Sequence, residues 1–289
     1  MNSLLPAWFK QEIPDAQTFG MAHLCLELGV HTVCAQAACP NITSCYKNRK
    51  ATFLILGDTC TRDCGFCAVK KSGVAAALSL DRDEPWRIRE AIKKLGIKYA
   101  VITSVTRDDL ADGGAQIFSR TIKALRSLNT DIRVEVLIPD FRLNISSLKC
   151  VVEAGPDVIA HNLETVQRLY RPLRPSSSYE VSLRVLREIK VLKPALITKS
   201  SLMLGLGETE EEVFGALRDL RDCSCDILTL GQYLAPSQEH YPVKEFISTQ
   251  QFGKYREMAL ALGFQSVFSG PLVRSSYQAE RVYNELIHA

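Results

Sequence analysis

The stretch Thr52-Phe-Leu-Ile-Leu-Gly57 is followed directly by Asp58-Thr-Cys-Thr-Arg-Asp-Cys-Gly-Phe-Cys67, a polar segment that contains three cysteines. The first part is a short continuous apolar run, which is typical of a buried strand. The second part has the composition of a loop. Together they predict a strand whose carboxyl end carries three thiols, and this unit begins the pattern that decides the fold.

Short apolar runs and amphipathic helical stretches alternate from this strand onward. Pro85 sits where the first turn of a helix tolerates proline, and an i, i+3, i+4, i+7 apolar stripe follows it. Further strands are predicted at Tyr99–Thr103, Arg133–Ile138, Asp157–Ala160, Ile197–Leu204, Ile227–Gln232 and, as a final short one, Phe264–Phe268. The accompanying helices are predicted at Ala115–Leu128, Ile145–Ala154, Tyr179–Val191, Thr209–Asp222 and Thr249–Leu262.

Six strand–helix units at this spacing predict an α/β fold with a parallel sheet. The sheet is either a doubly wound open sheet or an incomplete barrel. Both architectures place ligand sites at the carboxyl ends of the strands. The loops that follow five of the strands are polar and mostly contain glycine, so we expect the functional site at this edge of the sheet.

Composition narrows the classes of function. The chain has 289 residues, of which 46% are hydrophobic, and 35 Lys and Arg against 32 Asp and Glu give a net charge of +3. This balance is unlike that of a nucleic-acid binder that works mainly by neutralising phosphates. No apolar run approaches the ~20 residues of a membrane-spanning helix. The first fifteen residues contain Lys10, Glu12 and Asp15 but no arginine, which is typical of neither a secretory signal nor a transit peptide. We expect a cytoplasmic bacterial protein that binds neither nucleic acid nor membrane.

The ten cysteines are more typical of metal ligands than of disulfides in a reducing compartment. Six of them lie between Cys34 and Cys67. The other four lie outside this window and are expected to be small core residues: Cys25, Cys150, Cys223 and Cys225.

Cys60, Cys64 and Cys67 form a C-x3-C-x2-C motif. A [4Fe–4S] cluster normally takes four cysteine ligands, so three thiolates leave one iron open to another ligand. The alternative is a structural zinc knuckle. Zinc sites favour paired C-x2-C units, and only Cys64 and Cys67 have that spacing, so we favour the cluster.

Cys34, Cys39 and Cys45 form a second group, with C-x4-C-x5-C spacing. Two groups of three thiolates indicate two iron–sulfur clusters. A zinc site completed by His31, or one site shared by both groups, is the alternative. The spacing alone does not name a fourth ligand.

The loop from Cys60 to Cys67, with Phe66 before its last cysteine, resembles the radical S-adenosylmethionine (SAM) superfamily. The second cysteine group and the segment Arg274-Ser-Ser-Tyr-Gln-Ala279 resemble the lipoyl synthase family within it. This resemblance implies a partial (β/α)6 TIM-like barrel with N- and C-terminal extensions. The implied divisions are residues 1–50, which carry the second cysteine group, the barrel at 51–235, and an extension at 236–289.

The resemblance also implies the chemistry of each group. Cys60, Cys64 and Cys67 would hold the cluster that binds SAM, whose reduction yields methionine and a 5′-deoxyadenosyl radical. An auxiliary [4Fe–4S] cluster would be held by Cys34, Cys39, Cys45 and Ser276, and all four of Cys60, Cys64, Cys67 and Ser276 would be catalytic. A serine is a poor match for a cluster iron compared with a thiolate. The implied reaction inserts two sulfurs from the auxiliary cluster at C6 and C8 of a protein-bound octanoyl chain.

The expected SAM contacts follow strands of the barrel. Asn162 and Glu164 alternate after one strand, although helix capping would also explain them. The residues expected to line the cofactor are Phe66, Gly113, Gly114, Asn162, Glu164 and Gly205. Gly113 and Gly114 could instead simply open the next helix.

The resemblance implies octanoylated carrier domains of 2-oxoacid dehydrogenases and the glycine-cleavage carrier protein as partners. It also implies an electron donor such as ferredoxin or flavodoxin and an iron–sulfur carrier for rebuilding the cluster. Arg168, Arg171 and Arg174, with Lys199, are candidates for docking an acidic carrier, although a solvated face would explain the arginines as well. The chain departs from the family pattern at Ala35, Gln36, Gly65 and Ala68.

Overall fold

The computed structural model describes residues 5–72, 79–128 and 131–288, so residues 1–4 and 289 of the two extensions lie outside it. Its main sheet has eight strands in the order β1-β2-β5-β6-β7-β8-β9-β10. They are β1 (His31–Thr32), β2 (Thr52–Ile55), β5 (Tyr99–Ser104), β6 (Arg133–Leu137), β7 (Val158–Ala160), β8 (Ile197–Leu204), β9 (Ile227–Gln232) and β10 (Ser266–Gly270). The strands β3 (Thr59–Cys60) and β4 (Lys70–Lys71) pair separately, next to the cysteine loop.

The strand order decides between the two architectures that the sequence left open. Each of the parallel strands from β2 to β10 lies beside its predecessor in the main sheet, and only β1 is antiparallel. A doubly wound sheet reverses its strand order at a switch point, whereas this order runs in one direction. The predicted α/β class and partial TIM-like barrel are therefore confirmed, and the final short strand expected at Phe264–Phe268 is present as β10, two residues further along the chain.

The helices lie between and around these strands. Those of the barrel are α4 (Glu84–Leu95), α5 (Ala115–Arg126), α6 (Ile145–Glu153), α7 (Gln167–Leu173), α8 (Tyr179–Leu192), α9 (Glu210–Asp222) and α10 (Thr249–Ala261). The extensions contribute α1 (Ala16–Glu27), α2 (Val33–Gln36), α3 (Ile42–Lys47) and α11 (Ala279–Ile287). The apolar stripe of α4 is buried as predicted, and Thr209 caps α9 in a reciprocal hydrogen-bond pair with Glu212. Capping satisfies backbone groups that a helix end leaves unpaired.

Helix α7 was not predicted from the sequence. It has seven residues, contains Pro172 and falls within the arginine-bearing connection, which has little amphipathic pattern. Leu169, Tyr170 and Leu173 are nevertheless buried against the barrel. Tertiary packing thus stabilises a helix that its local sequence disfavours.

The predicted first strand, Thr52–Gly57, ends two residues early. Leu56 and Gly57 have φ values of +68° and +86°, so the chain leaves the extended conformation there. The buried Glu84 carboxylate accepts hydrogen bonds from the N–H groups of Leu56, at 2.7 Å, and Gly57, at 3.2 Å. The first residue of α4 therefore holds the turn that leads into the cysteine loop.

Lys199 lies inside the barrel, which makes its predicted docking role wrong. Its side chain is 1% exposed, and Nζ donates to Glu135 Oε1 at 2.7 Å. The hydroxyl of Tyr99 donates to the other oxygen of Glu135, also at 2.7 Å. Buried charges in proteins are paired, and this ion pair joins β8 to β6.

Among the described residues, no helix is both long and apolar enough to cross a membrane.

Replacing Lys199 should destabilise the barrel. Lys199→Ala leaves the Glu135 carboxylate buried without its cation, which should lower the free energy of unfolding by about 3 kcal/mol. Lys149→Ala is the control, because Lys149 is exposed and its ion pair with Glu153 spans one helical turn on the surface. Urea unfolding of both apoproteins measures the difference, and equal midpoints would contradict a structural role for Lys199.

Candidate active site

A cavity of about 510 Å³ lies at the carboxyl ends of the barrel strands. The sequence-predicted site residues that line it are Cys34, Cys39, Cys60, Phe66, Cys67, Asn162, Glu164 and Ser276. They come from both extensions and from the barrel. The site was expected at the edge where the strands end, and these side chains meet there.

The loop that contains Cys60, Cys64 and Cys67 is held in place by two hydrogen bonds of the Gly65 backbone. The Gly65 N–H donates to the carbonyl of Leu173 at 2.8 Å, and its carbonyl accepts from the N–H of Tyr241 at 2.9 Å. His240 donates from its ring to the Cys67 carbonyl at 3.2 Å. A proline at the position of Gly65 could not donate the first of these bonds.

Arg62, between the first two cysteines of the loop, forms a buried ion-pair network that the sequence analysis missed. Its guanidinium donates to both carboxylate oxygens of Asp108, at 2.7 and 2.9 Å, and to both of Asp140, at 2.6 and 2.7 Å. Burial raises the pKa of Asp140, but the bonds from Arg62 outweigh it and lower that pKa to about 2. The network anchors the cysteine loop to the ends of β5 and β6.

Arg174 is buried at the cavity, so its predicted role in docking is wrong. Its guanidinium lies 5.0 Å from the centre of the Tyr170 ring and donates to the Tyr170 hydroxyl at 2.8 Å. It also lies beside Cys64 and Glu164, where its charge opposes the increase in pKa that burial causes in both groups. Cys64 is not among the residues that line the cavity, but Arg174 and Glu164 are.

Of the other arginines, Arg168 is exposed and its guanidinium pairs with Glu212 at 2.6 Å. Arg171 is also exposed. Only these two of the three arginines therefore remain on the surface.

Asn162 and Glu164 continue from β7 into the cavity wall. The Asn162 side-chain amide donates to Glu164 Oε1 at 3.1 Å, and the hydroxyl of Ser275 donates to Asn162 Oδ1 at 2.9 Å. Glu164 has a φ of +70° and bridges to Leu202 of β8. Ser275, in the segment Arg274–Ala279, thus contacts the segment that is expected to bind SAM.

The second cysteine group surrounds a second cavity, of about 370 Å³. Cys34, Cys39 and Ser276 line both cavities, whereas Cys45 lines only the second. Burial raises the pKa of Cys34 to about 12 and that of Cys45 to about 11. Arg274 also lines both cavities, and its charge faces Cys39. A cationic side chain facing one thiol of this group suits a site that gains negative charge when the thiols ionise on metal.

These donor sets fit iron–sulfur clusters. Within the described ranges, no three His, Cys, Asp or Glu side chains converge closely enough to hold a single metal ion. A [4Fe–4S] cluster does not require such convergence, because each cysteine binds a different iron. Cys60, Cys67, Cys34 and Cys39 all line the larger cavity.

The three glycines expected at the cofactor do not line the cavity. A Cβ on Gly113 would lie 2.8 Å from the Phe141 ring, and one on Gly114 would lie 2.2 Å from the Leu56 side chain. Gly114 precedes α5 as its N-cap, which matches the helix-opening alternative. Gly205 packs against Gln232 and the Glu245 carbonyl, behind the end of β8. Their roles as cofactor contacts stay predictions.

Comparison with known families and sequences agrees with this arrangement. Residues 54–220 match the model of the radical SAM superfamily. The chain is 49% identical to lipoyl synthase from Caldicellulosiruptor bescii over 95% of this chain and 94% of that protein. It is 50% identical to lipoyl synthase from Geobacter metallireducens over 97% of this chain and 98% of that protein.

The chain belongs to the lipoyl synthase family of the radical SAM superfamily. The family assignment predicted from the cysteine motifs is thereby confirmed, and so are the [4Fe–4S] cluster and SAM that radical SAM enzymes use.

Solved structures support the fold alone. The FeFe-hydrogenase maturase HydG from Carboxydothermus hydrogenoformans aligns with a TM-score of 0.59 at 14% identity, over 80% of this chain and 55% of that one. Methylornithine synthase aligns with a TM-score of 0.55 at 17% identity, over 70% of this chain and 59% of that one. This lipoyl synthase family member therefore spans little more than half of either structure.

Arg62 should be more important for the cysteine loop than its exposed neighbour Arg142. Arg62→Lys cannot keep paired bonds to two carboxylates, because a lysine is a point donor, and should cost about 2 kcal/mol of stability. Arg142→Lys is the matched control, since the Arg142 side chain is exposed and pairs with one oxygen of Asp108, at 3.2 Å. We expect Arg62→Lys to lose iron faster to an anaerobic chelator. Equal rates for the two variants would show that Arg62 does not support the loop.

Proposed function

We propose that the chain is a lipoyl synthase that inserts sulfur at C6 and C8 of an octanoyl chain attached to a carrier-protein lysine. The observation that carries this proposal is the near full-length match to lipoyl synthases at about half identity. The meeting of both cysteine groups and Ser276 along adjoining cavities supports it. The domain divisions at residues 1–50, 51–235 and 236–289 are part of the same proposal.

Cys60, Cys64 and Cys67 are assigned to the SAM-binding cluster. Three thiolates leave one iron without a protein ligand, which is the position that SAM needs. When bound, this cluster and SAM supply the radical that removes hydrogen from an unactivated carbon. The hydrogen bonds on Gly65 and the Arg62 network hold the thiols in place.

Asn162 and Glu164 are assigned to SAM, with Phe66 on the same cavity wall. Glu164 accepts from Asn162 and lies beside Arg174, so its carboxylate is paired within the wall although burial raises its pKa. A ligand with hydroxyl or ammonium groups would find acceptors there. The apolar lining that includes Leu54, Val69 and Leu137 would exclude water from a radical.

An auxiliary [4Fe–4S] cluster is assigned to Cys34, Cys39, Cys45 and Ser276 and would supply the inserted sulfur. Three of these four residues line the cavity that contains the other cysteine loop. Sulfur and substrate carbon must come into contact, so a sulfur source within the wall of that cavity suits the reaction. Serine is a hard ligand for a soft cluster, which favours an iron that is released when sulfur leaves.

The substrates are lipoyl-carrier proteins, and we assign the octanoylated domains of 2-oxoacid dehydrogenases and the glycine-cleavage carrier to this role. Electrons would come from a ferredoxin or flavodoxin, and an iron–sulfur carrier would rebuild the auxiliary cluster after turnover. Arg168 and Arg171 are the exposed arginines that could meet an acidic carrier. We also propose that the enzyme acts in the bacterial cytoplasm.

The activity is tested by mass spectrometry of an octanoylated carrier domain after anaerobic incubation with SAM and a strong reductant. We expect the octanoyl chain to gain two sulfurs. Cys64→Ala should abolish both sulfur insertion and 5′-deoxyadenosine, whereas Cys150→Ala, outside both cavities, should abolish neither. If the wild-type enzyme cleaves SAM but the octanoyl chain gains no sulfur, the enzyme acts on another substrate.

The two adjacent serines should have separable roles. Ser276→Ala should abolish lipoyl formation and leave 5′-deoxyadenosine formation largely intact, because Ser276 belongs to the auxiliary group. Ser275→Ala removes the hydrogen bond to Asn162 and should instead weaken SAM binding several-fold, since a lost hydrogen bond costs about 1 kcal/mol. Product ratios and SAM titrations measure the two effects, and unchanged lipoyl formation by Ser276→Ala would remove Ser276 as a ligand.

A further inference from the structure

Thr52, the first residue of β2, contacts two side chains that are assigned to the auxiliary cluster. Its hydroxyl donates a hydrogen bond to Ser276 Oγ at 2.7 Å. Its backbone N–H also donates a hydrogen bond to the Cys34 thiol. Ser276 lies in the C-terminal extension and Cys34 in the N-terminal extension. Thr52, at the start of the barrel, therefore connects the two extensions.

The direction of the Thr52–Ser276 bond matters for the chemistry of a serine ligand. A serine oxygen that binds iron has lost its proton and can only accept hydrogen bonds. Thr52 therefore remains the donor when Ser276 is bound, and a donor stabilises the negative charge on the oxygen. The same bond restricts the Ser276 side chain to one orientation.

Burial strengthens this contact. Thr52 is 5% exposed and lines both cavities together with Ser276. Hydrogen bonds are electrostatically stronger in such surroundings than in water. Strand β2 is also held on both sides, because it pairs with β1 and β5. The Thr52 hydroxyl is thus presented from a fixed element, while Ser276 lies in a segment outside the regular elements.

We propose that Thr52 is a positioning residue that holds Ser276 on the auxiliary cluster and sets how firmly the serine retains its iron. This inference rests on the proposed function, in which Ser276 is the fourth ligand. It adds to that function a residue that controls how readily the auxiliary cluster releases iron. Thr52 would act through Ser276 and need not touch the substrate.

The test compares Thr52→Val with Thr52→Ser in the full-length reconstituted enzyme. Valine has nearly the shape of threonine and keeps the backbone N–H to Cys34 but lacks the hydroxyl, whereas serine retains the hydroxyl. We expect Thr52→Val to release its first iron to an anaerobic chelator on the order of tenfold faster, since a hydrogen bond to a charged group contributes in that range. Thr52→Ser should restore the wild-type rate.

Mössbauer spectra of ⁵⁷Fe-loaded protein provide a readout that general loss of stability would not reproduce. The signal of an oxygen-ligated iron should change in Thr52→Val and return in Thr52→Ser. Adding Thr52→Val to Ser276→Ala should have no further effect on that signal or on iron release, because the residue through which Thr52 acts is gone.

The outcomes separate this inference from the proposed function. If Ser276→Ala alters the spectrum and Thr52→Val does not, Thr52 has no positioning role although Ser276 is the ligand. If Ser276→Ala itself leaves the spectrum unchanged, Ser276 is not a ligand, and the assignment of the auxiliary site is overturned together with the inference. Thermal unfolding of the apoproteins shows whether Thr52→Val remains folded, and Thr52→Ser supplies the comparison if it does not.

Discussion

The carbonyl of Val273 passes so close to Gly231, at the end of β9, that a Cβ on Gly231 would lie 2.0 Å from that oxygen. No side chain could occupy this position without displacing the C-terminal segment. Glycine therefore lets the chain cross the open end of the barrel at backbone contact distance. The next residues then reach both halves of the site, since Ser275 donates to Asn162 and Ser276 accepts from Thr52. The proximity of the two assigned cofactor sites depends on this crossing.

Buried charged side chains fix the elements around this crossing. Arg62 is paired with two carboxylates, Lys199 is paired with Glu135, and Arg174 lies against Tyr170 beside Cys64. Such pairs stabilise a protein little in total, because desolvation offsets their attraction, but breaking one is costly. They specify where the cysteine loop and strands lie relative to each other. A radical reaction that must exclude water benefits from this rigidity.

Much of the barrel could be predicted from the sequence because its signals are local. The strands Ile197–Leu204 and Ile227–Gln232 match their predicted bounds, because the alternation of strands and helices is a signal carried by short segments. Helix α7 could not be predicted, because its burial comes from distant neighbours. The docking roles expected for Arg174 and Lys199 were wrong for the same reason. Arg174 belongs to a periodic run of arginines that resembles a solvated face, and only the packing shows that its side chain and that of Lys199 are buried.

The sequence by itself determined the α/β class, the two cysteine groups and the resemblance to radical SAM enzymes, because thiol spacing and apolar periodicity are properties of short segments. It also predicted Ser276 as a ligand through a resemblance of the C-terminal segment. Only the tertiary structure decided that the strands run in one direction to form an incomplete barrel and that Thr52 meets Ser276 across 224 positions of chain. Contacts between residues so far apart in the sequence arise from the packing of whole helices and strands. No local pattern in the sequence encodes that packing.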